Sequence, residues 1–297
     1  MKNSSNIRNL KIHYWLCLML GILLGACSAL NLMPSKNIET LKFDTNSHNE
    51  QYQFIYQTKE NSPELLTLKT NYGLDSIAKT GNTEFEQILA LLSWTNSRWK
   101  HSGSNEPSES NTLTILEEAE KGKKFRCVEY GIVLRSVLAV NGFKARTLGL
   151  KTKDVEVTLL GAGHVLTEVW SEQFSKWLML DAQFNVVPTM NGTPLNAVEF
   201  QRAIIQKENF QLVDSKGEVD DKTRKKYMNF IPHYLYYFDY KFDQRELPYD
   251  SLLKINENGY LMLVPLGTKP PNKFQKRHEL DYFEYTNSLK DFYKKPI

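Results

Sequence analysis

The chain has 297 residues, 37 basic against 34 acidic, and three cysteines. Residues 1–26 carry Lys2, Arg8 and Lys11 and no acidic residue, so removing these three leaves 34 basic against 34 acidic. A neutral body excludes a nucleic-acid protein, which needs a basic patch in its folded part. A composition 41% hydrophobic and 12% aromatic is that of a globular chain rather than a disordered one. Three cysteines without a CxxC pair exclude a disulfide framework and a zinc site.

The basic N-terminus leads into the apolar run Tyr14–Ala26. That run is too short to span a bilayer, which takes roughly 20 residues, and fits the core of a secretory signal. It ends in Leu24-Gly25-Ala26-Cys27, which resembles the lipobox of bacterial lipoproteins. The resemblance implies removal of residues 1–26, Cys17 among them, and acylation of Cys27 as the membrane anchor, with multiple chains for stable attachment. Ser28 follows the cysteine, which in enteric bacteria favours the outer membrane. The expected location is therefore exported and lipid-anchored in the cell envelope, at the outer membrane or cell surface. Residues 27–50 are polar and unpatterned and read as a tether. Residues 51–297 read as one globular domain.

In the body, Gln51–Tyr56 alternates like a short strand. Ser62-Pro63-Glu64 predicts a helix running to about Asn71 before Gly73. Thr83–Glu86 forms a capping box, and Phe85, Ile88, Leu89, Leu92 and Trp99 follow on one helical face. His101–Asn111 is a polar loop, and Thr112–Lys121 a short helix stopped by Gly122. Phe125–Val140 is the most apolar helical stretch, closed by Asn141-Gly142. Three strand-like runs follow: Phe143–Leu150, His164–Trp170 and Trp177–Gln183. The last two read as an antiparallel hairpin. Glu199–Lys207 predicts a helix, Gly217–Lys226 is charged and solvated, and Leu261–Leu266 is apolar. Tyr227–Phe242, with eight aromatics in sixteen residues, reads either as strand and core wall or as the lining of a cleft.

Thiol catalysis needs a cysteine, a histidine to take its proton, and a group that orients the histidine. With Cys17 removed and Cys27 acylated, Cys127 is the one thiol left in the body. It sits where a loop rich in Lys and Arg enters the apolar helix, and a helix N-terminus favours negative charge on sulfur. His164 and Asp181 stand on consecutive strands. If they face each other, Leu166 faces Met179, Glu168 faces Trp177, Trp170 faces Ser175, and Ser171–Phe174 forms the turn. Alternation then puts His164 and Asp181 on one face, whereas a one-residue slip separates them.

Gly122–Tyr130 around Cys127, with Leu134, Leu138, Asn141-Gly142-Phe143 and Ala145-Arg146, resembles the cysteine block of the transglutaminase-like superfamily. His164–Trp170 resembles its histidine block and Trp177–Asp181 its aspartate block. The resemblance covers about residues 84–190, leaving 191–297 as a β-rich aromatic extension. It implies an α+β, papain-like core whose nucleophile helix packs on an antiparallel sheet. It further implies Cys127 as nucleophile, His164 as base and acid, and Asp181 as the orienting carboxylate, with no cofactor. The Cys127 amide is expected in the oxyanion hole. Trp99 is the candidate for a further donor, with core packing as its other reading. His101 and His233 read as loop or surface residues, and Glu129 and Arg146 as a structural ion pair or solvated groups. The expected activity is hydrolysis of amide bonds through an acyl-thioester. Protein, peptide, peptidoglycan stem and glycopeptide are all open as substrates. An amine-accepting crosslinking enzyme and a non-catalytic envelope scaffold are the alternatives.

Overall fold

A computed structural model describes residues 33–49, 51–246 and 259–297. The expected signal segment, Cys17 and Cys27 lie outside the described residues.

Helix α1 (Glu64–Tyr72) ends at Gly73, which adopts a left-handed φ of 59° and leads into α2 (Leu74–Ala78). Pro63 rather than Ser62 stands at the N-cap, without a side-chain bond, and the Ser62 hydroxyl turns to Asn61. Helix α3 (Glu84–Asn96) starts with the expected capping box, the Thr83 hydroxyl accepting from the Glu86 amide at 3.2 Å. Helix α4 (Thr112–Glu120) is capped by Asn111, whose side chain accepts from the Thr114 amide.

Helix α5 (Cys127–Val140) begins two residues later than its apolar pattern. Phe125 bridges to His101, and extended Arg126 forms the N-cap, its amide donating to Glu129 at 3.0 Å. Cys127 is therefore the first helical residue. Eleven of the fourteen residues of α5 are buried, so packing overrides the weak helix propensity of Val133, Val137 and Val140.

Strands β1 (Ala145–Lys151), β2 (Gly163–Ser171) and β3 (Lys176–Leu180) follow. Strands β4 (Val187–Met190), β5 (Thr193–Pro194), β6 (Gln211–Asp214) and β7 (Gly217–Glu218) make a small four-stranded sheet interrupted by α6 (Ala197–Gln206). Helix α7 (Asp221–Phe230) and a 3-10 turn (Pro232–Tyr234) lead to β8 (Tyr237–Lys241) and β9 (Tyr260–Leu263). A short ladder pairs β10 (Lys273–Phe274) with β11 (His278–Glu279), and β12 (Phe283–Thr286) and α8 (Leu289–Phe292) close the chain.

The main sheet has the order β12-β9-β8-β1-β2-β3, with only the β12–β9 pair parallel. Mixed helices and largely antiparallel sheets make an α+β fold. The extension beyond residue 190 supplies three of these six strands, inserting β8 beside β1. Helix α5 packs on β1 and β2 at Gly131, where a Cβ would lie 2.9 Å from the Val165 side chain. Alternate residues of β1 and β2 fill the opposite face, where Leu148, Leu150 and Leu166 join a core with α6, α7 and β8.

Three expectations are corrected. Gln51–Tyr56 forms no strand; it makes one bridge, Ile55 to Asp243, and stacks Phe54 on Phe242 at 5.5 Å. Gly217–Lys226 is not merely solvated but contains β7 and most of α7, because the Asp220 side chain caps the helix at the Thr223 amide. The tether expected through residue 50 is docked over its described part. The Ser35 amide binds Asp154, Gln201 holds the Glu39 carbonyl, Asp44 bridges to Ser288, and His48 meets Asp291.

Candidate active site

Cys127 opens α5 as its first residue, and its thiol is free and partly exposed. The first amides of a helix have no intrahelical acceptor, so their dipoles point at this end. His164 is the second residue of β2, and Asp181 follows the last residue of β3. Both are buried, at 2% and 0% exposure.

The hairpin register differs from the expected one. Thr167 faces Leu180, Trp170 faces Trp177, and Ser171 faces Lys176, so the turn is Glu172–Ser175. The Ser171 hydroxyl binds Glu84 and accepts from the Phe174 amide, which keeps Ser171 in the ladder, while Ser175 takes the left-handed conformation that ends the turn. The ladder is thus shifted by two residues, and an even shift preserves the face of every side chain. Asp181 lies diagonal to His164 rather than opposite it, within reach of a ring nitrogen. Nε2 of His164 and Oδ2 of Asp181 are 2.8 Å apart.

Asp181 is itself fixed. Its Oδ1 accepts from the amides of Gln183 and Phe184 at 3.1 and 3.3 Å, and its backbone exchanges hydrogen bonds with Val186. With Nε2 engaged by Asp181, Nδ1 is the ring nitrogen left for Cys127, which lines the same cavity as His164. Burial alone draws the His164 pKa down, but the Asp181 charge and hydrogen bond, together with Cys127, outweigh it and hold the imidazole up at about 10. This environment favours the charged form of the imidazole.

Aromatic rings wall the imidazole. Phe230 meets it edge-on at 5.0 Å, Tyr234 lies at 5.8 Å and Phe184 at 6.5 Å. Tyr227, fully buried, is pushed well up by burial and then by the Asp181 charge. His101 bridges to Phe125, two residues before Cys127, and partial desolvation, then the charge of His164, lower its pKa. Trp99 packs on Tyr130 at 4.4 Å, and the Tyr130 hydroxyl donates to the Trp99 carbonyl. The Trp99 indole N–H is buried without a hydrogen-bond partner among the described residues.

Cys127 and His164 line one end of a cavity of about 650 Å³, which continues over Gly149, Lys151 and Asp239 to Tyr260 and Phe283. Glu129 and Arg146 do not pair with each other and are not solvated. Glu129 binds Arg126 at 2.7 Å, and Arg146 forms a fully buried pair with Glu168 at 2.6 Å. The aromatic density of Tyr227–Phe242 was the sequence signal for Phe230 and Tyr234. Lys151 and Asp239 gave none, because 88 residues separate them.

Residues 74–182 match the family model of the transglutaminase-like superfamily. No curated protein matches the chain. Among solved structures, a candidate cysteine protease from Cytophaga hutchinsonii aligns at 12% identity over 48% of this chain and 46% of its own, with a TM-score of 0.33. The periplasmic domain of TgpA from Pseudomonas aeruginosa, bound to ethylmercury, aligns at 17% identity over 45% of this chain and 47% of its own, with a TM-score of 0.30. The chain thus spans less than half the length of either structure.

Proposed function

We propose that this chain, which carries a transglutaminase-like superfamily domain, is an exported, lipid-anchored thiol hydrolase of amide bonds, a peptidase or amidase. The observation that carries the reading is that Cys127 and an imidazole fixed by Asp181 line one cavity large enough for a substrate chain.

In this reading the Cys127 sulfur attacks the amide carbonyl carbon, forming an S–C bond and an oxyanion. The Cys127 amide and the unpartnered Trp99 indole N–H donate to that oxygen. The imidazolium gives its Nδ1 proton to the leaving amine as the C–N bond breaks, leaving a thioester. Water then attacks the thioester, Nδ1 takes its proton, and the S–C bond breaks to release a carboxylic acid. Asp181 keeps the ring oriented and balances its charge throughout. The lipid anchor at Cys27 and the tether before residue 33 would hold the enzyme at an envelope membrane. Among the described residues, no helix is long and apolar enough to cross a membrane.

The test is to trap the acyl-enzyme from envelope extracts and identify the adduct on Cys127 by mass. A thioester on Cys127 that is absent from Cys127→Ala supports hydrolysis, and an isopeptide product with added amine redirects the reading to crosslinking. Amide cleavage by a folded Cys127→Ala protein would refute the mechanism. A folded wild-type protein whose Cys127 reacts only after unfolding would make the chain a scaffold.

A further inference from the structure

Helix α5 covers β1 and β2 but not the strands beyond them, so one face of the sheet runs out from Cys127 as the floor of the cavity, whose other wall carries Phe274, Arg277, His278 and Glu279. The register names the residues of that floor. Gly149 faces Asp239, Lys241 faces Tyr260, and Tyr260 faces Phe283. Thr147 of β1 meets α5 at Gly131, so Gly149 and Lys151, at the same parity, lie on the same face.

On this floor Lys151 and Asp239 form an ion pair, their side chains 10% and 6% exposed. A second buried pair in the molecule shows what full structural satisfaction requires. Arg146 and Glu168 also engage the Phe292 carbonyl, the Ala197 amide and the Tyr293 hydroxyl. Lys151 and Asp239 lack such support among the described residues. The ammonium has three donors and one protein acceptor, and Asp239 Oδ1 has no protein donor. Gly149 leaves the room this carboxylate occupies, since a Cβ there would lie 2.8 Å from Oδ1. Phe283 covers the ammonium at 5.2 Å from its ring centroid. Both residues line the cavity, so the spare donors of the ammonium and the free carboxylate oxygen suit a ligand that carries both charges.

We propose that this floor binds an α-amino-acid head with a free ammonium and a free carboxylate, the carboxylate on Lys151 and the ammonium on Asp239. Together with the hydrolase reading, on which this extension rests, it makes the substrate an amide in which one side ends in such a head. The side-chain-linked amides of amino acids are of that class. Recognition of the head is a binding property and can be measured without turnover.

The experiment uses the full chain with Cys127→Ala and calorimetric titration. The probes are Nε-acetyl-lysine and γ-glutamylethylamide, which carry the same head on a longer and a shorter spacer. Each is compared with its α-carboxamide and its Nα-acetyl form. At least one zwitterion is expected to bind 10-fold or more tightly than either blocked form. Lys151→Met should erase the preference over the carboxamide, and Asp239→Asn the preference over the Nα-acetyl form. Equal binding of all three forms, or no binding of either zwitterion at millimolar concentration, overturns the proposal. These ligand comparisons hold even if a variant of the pair fails to fold. Failure of the hydrolase reading would appear separately, as no turnover by the wild-type chain while the binding preference persists.

Discussion

His164 Nε2 and Asp181 Oδ2 meet at 2.8 Å although their hairpin ladder sets them two residues out of direct opposition. The contact depends on the even shift and on the turn beyond β3, whose amides hold the other Asp181 oxygen. Asp181→Asn keeps the shape but removes the charge that sustains the imidazolium. Its kcat should fall by about 10³–10⁴-fold with little change in KM, as for an orienting carboxylate in other triads. Steady-state kinetics on the substrate found by adduct trapping checks this.

The same pair couples stability to pH. The folded imidazole titrates near 10 against an ordinary value of 6.5. Its contribution is therefore fully present below pH 6.5 and is lost as pH rises through about 10. Urea unfolding at pH 6, 8 and 10 should show stability declining over this window. In His164→Gln the decline should be smaller.

The cysteine, histidine and aspartate blocks were legible because each is local. Helix α5, β2 and β3 stand within three residues of their patterns, and an even register error leaves the faces unchanged. What was not legible is non-local. No local signal says that β8 inserts beside β1, that residues 34–49 dock on α6 and α8, or that Lys151 meets Asp239. The start of α5 was misjudged because Phe125 is as apolar as the helix it precedes, yet it is spent on a bridge to His101.

Gly131 sets how closely the helix bearing Cys127 approaches the strand bearing His164. An added methyl meets Val165 at 2.9 Å and Thr147 at 3.1 Å. Gly131→Ala should cost about 1–3 kcal/mol in urea unfolding through overpacking. It should also lower kcat, because α5 must move away from β2.

Trp99→Phe separates packing from catalysis. It keeps the ring on Tyr130 and removes the unpartnered N–H. If that N–H serves the oxyanion, kcat should fall about 10²–10³-fold. Stability should hold or rise, since a buried donor without a partner is destabilising. An unchanged kcat would leave Trp99 a packing residue.

Glu168 belongs to a separate, fully buried ion pair. Its carboxylate neutralises Arg146, whose guanidinium is stacked against Tyr240 at 3.9 Å and Trp177 at 4.2 Å. Glu168→Gln strands a buried charge and should destabilise the fold by about 3–5 kcal/mol, read as a lower urea midpoint.

The central claim is that Cys127 and His164 act as one chemical unit. The most direct test is the rate of Cys127 alkylation by iodoacetamide from pH 5 to 9, in the native wild-type chain and in His164→Ala, with mass analysis of the labelled site. The account predicts rapid labelling of the wild type already at pH 6 and a loss of about 10²-fold or more in the variant at that pH, because the imidazole that activates the nucleophile is gone. Equal rates in the two proteins across the whole range, with both folded, would contradict it.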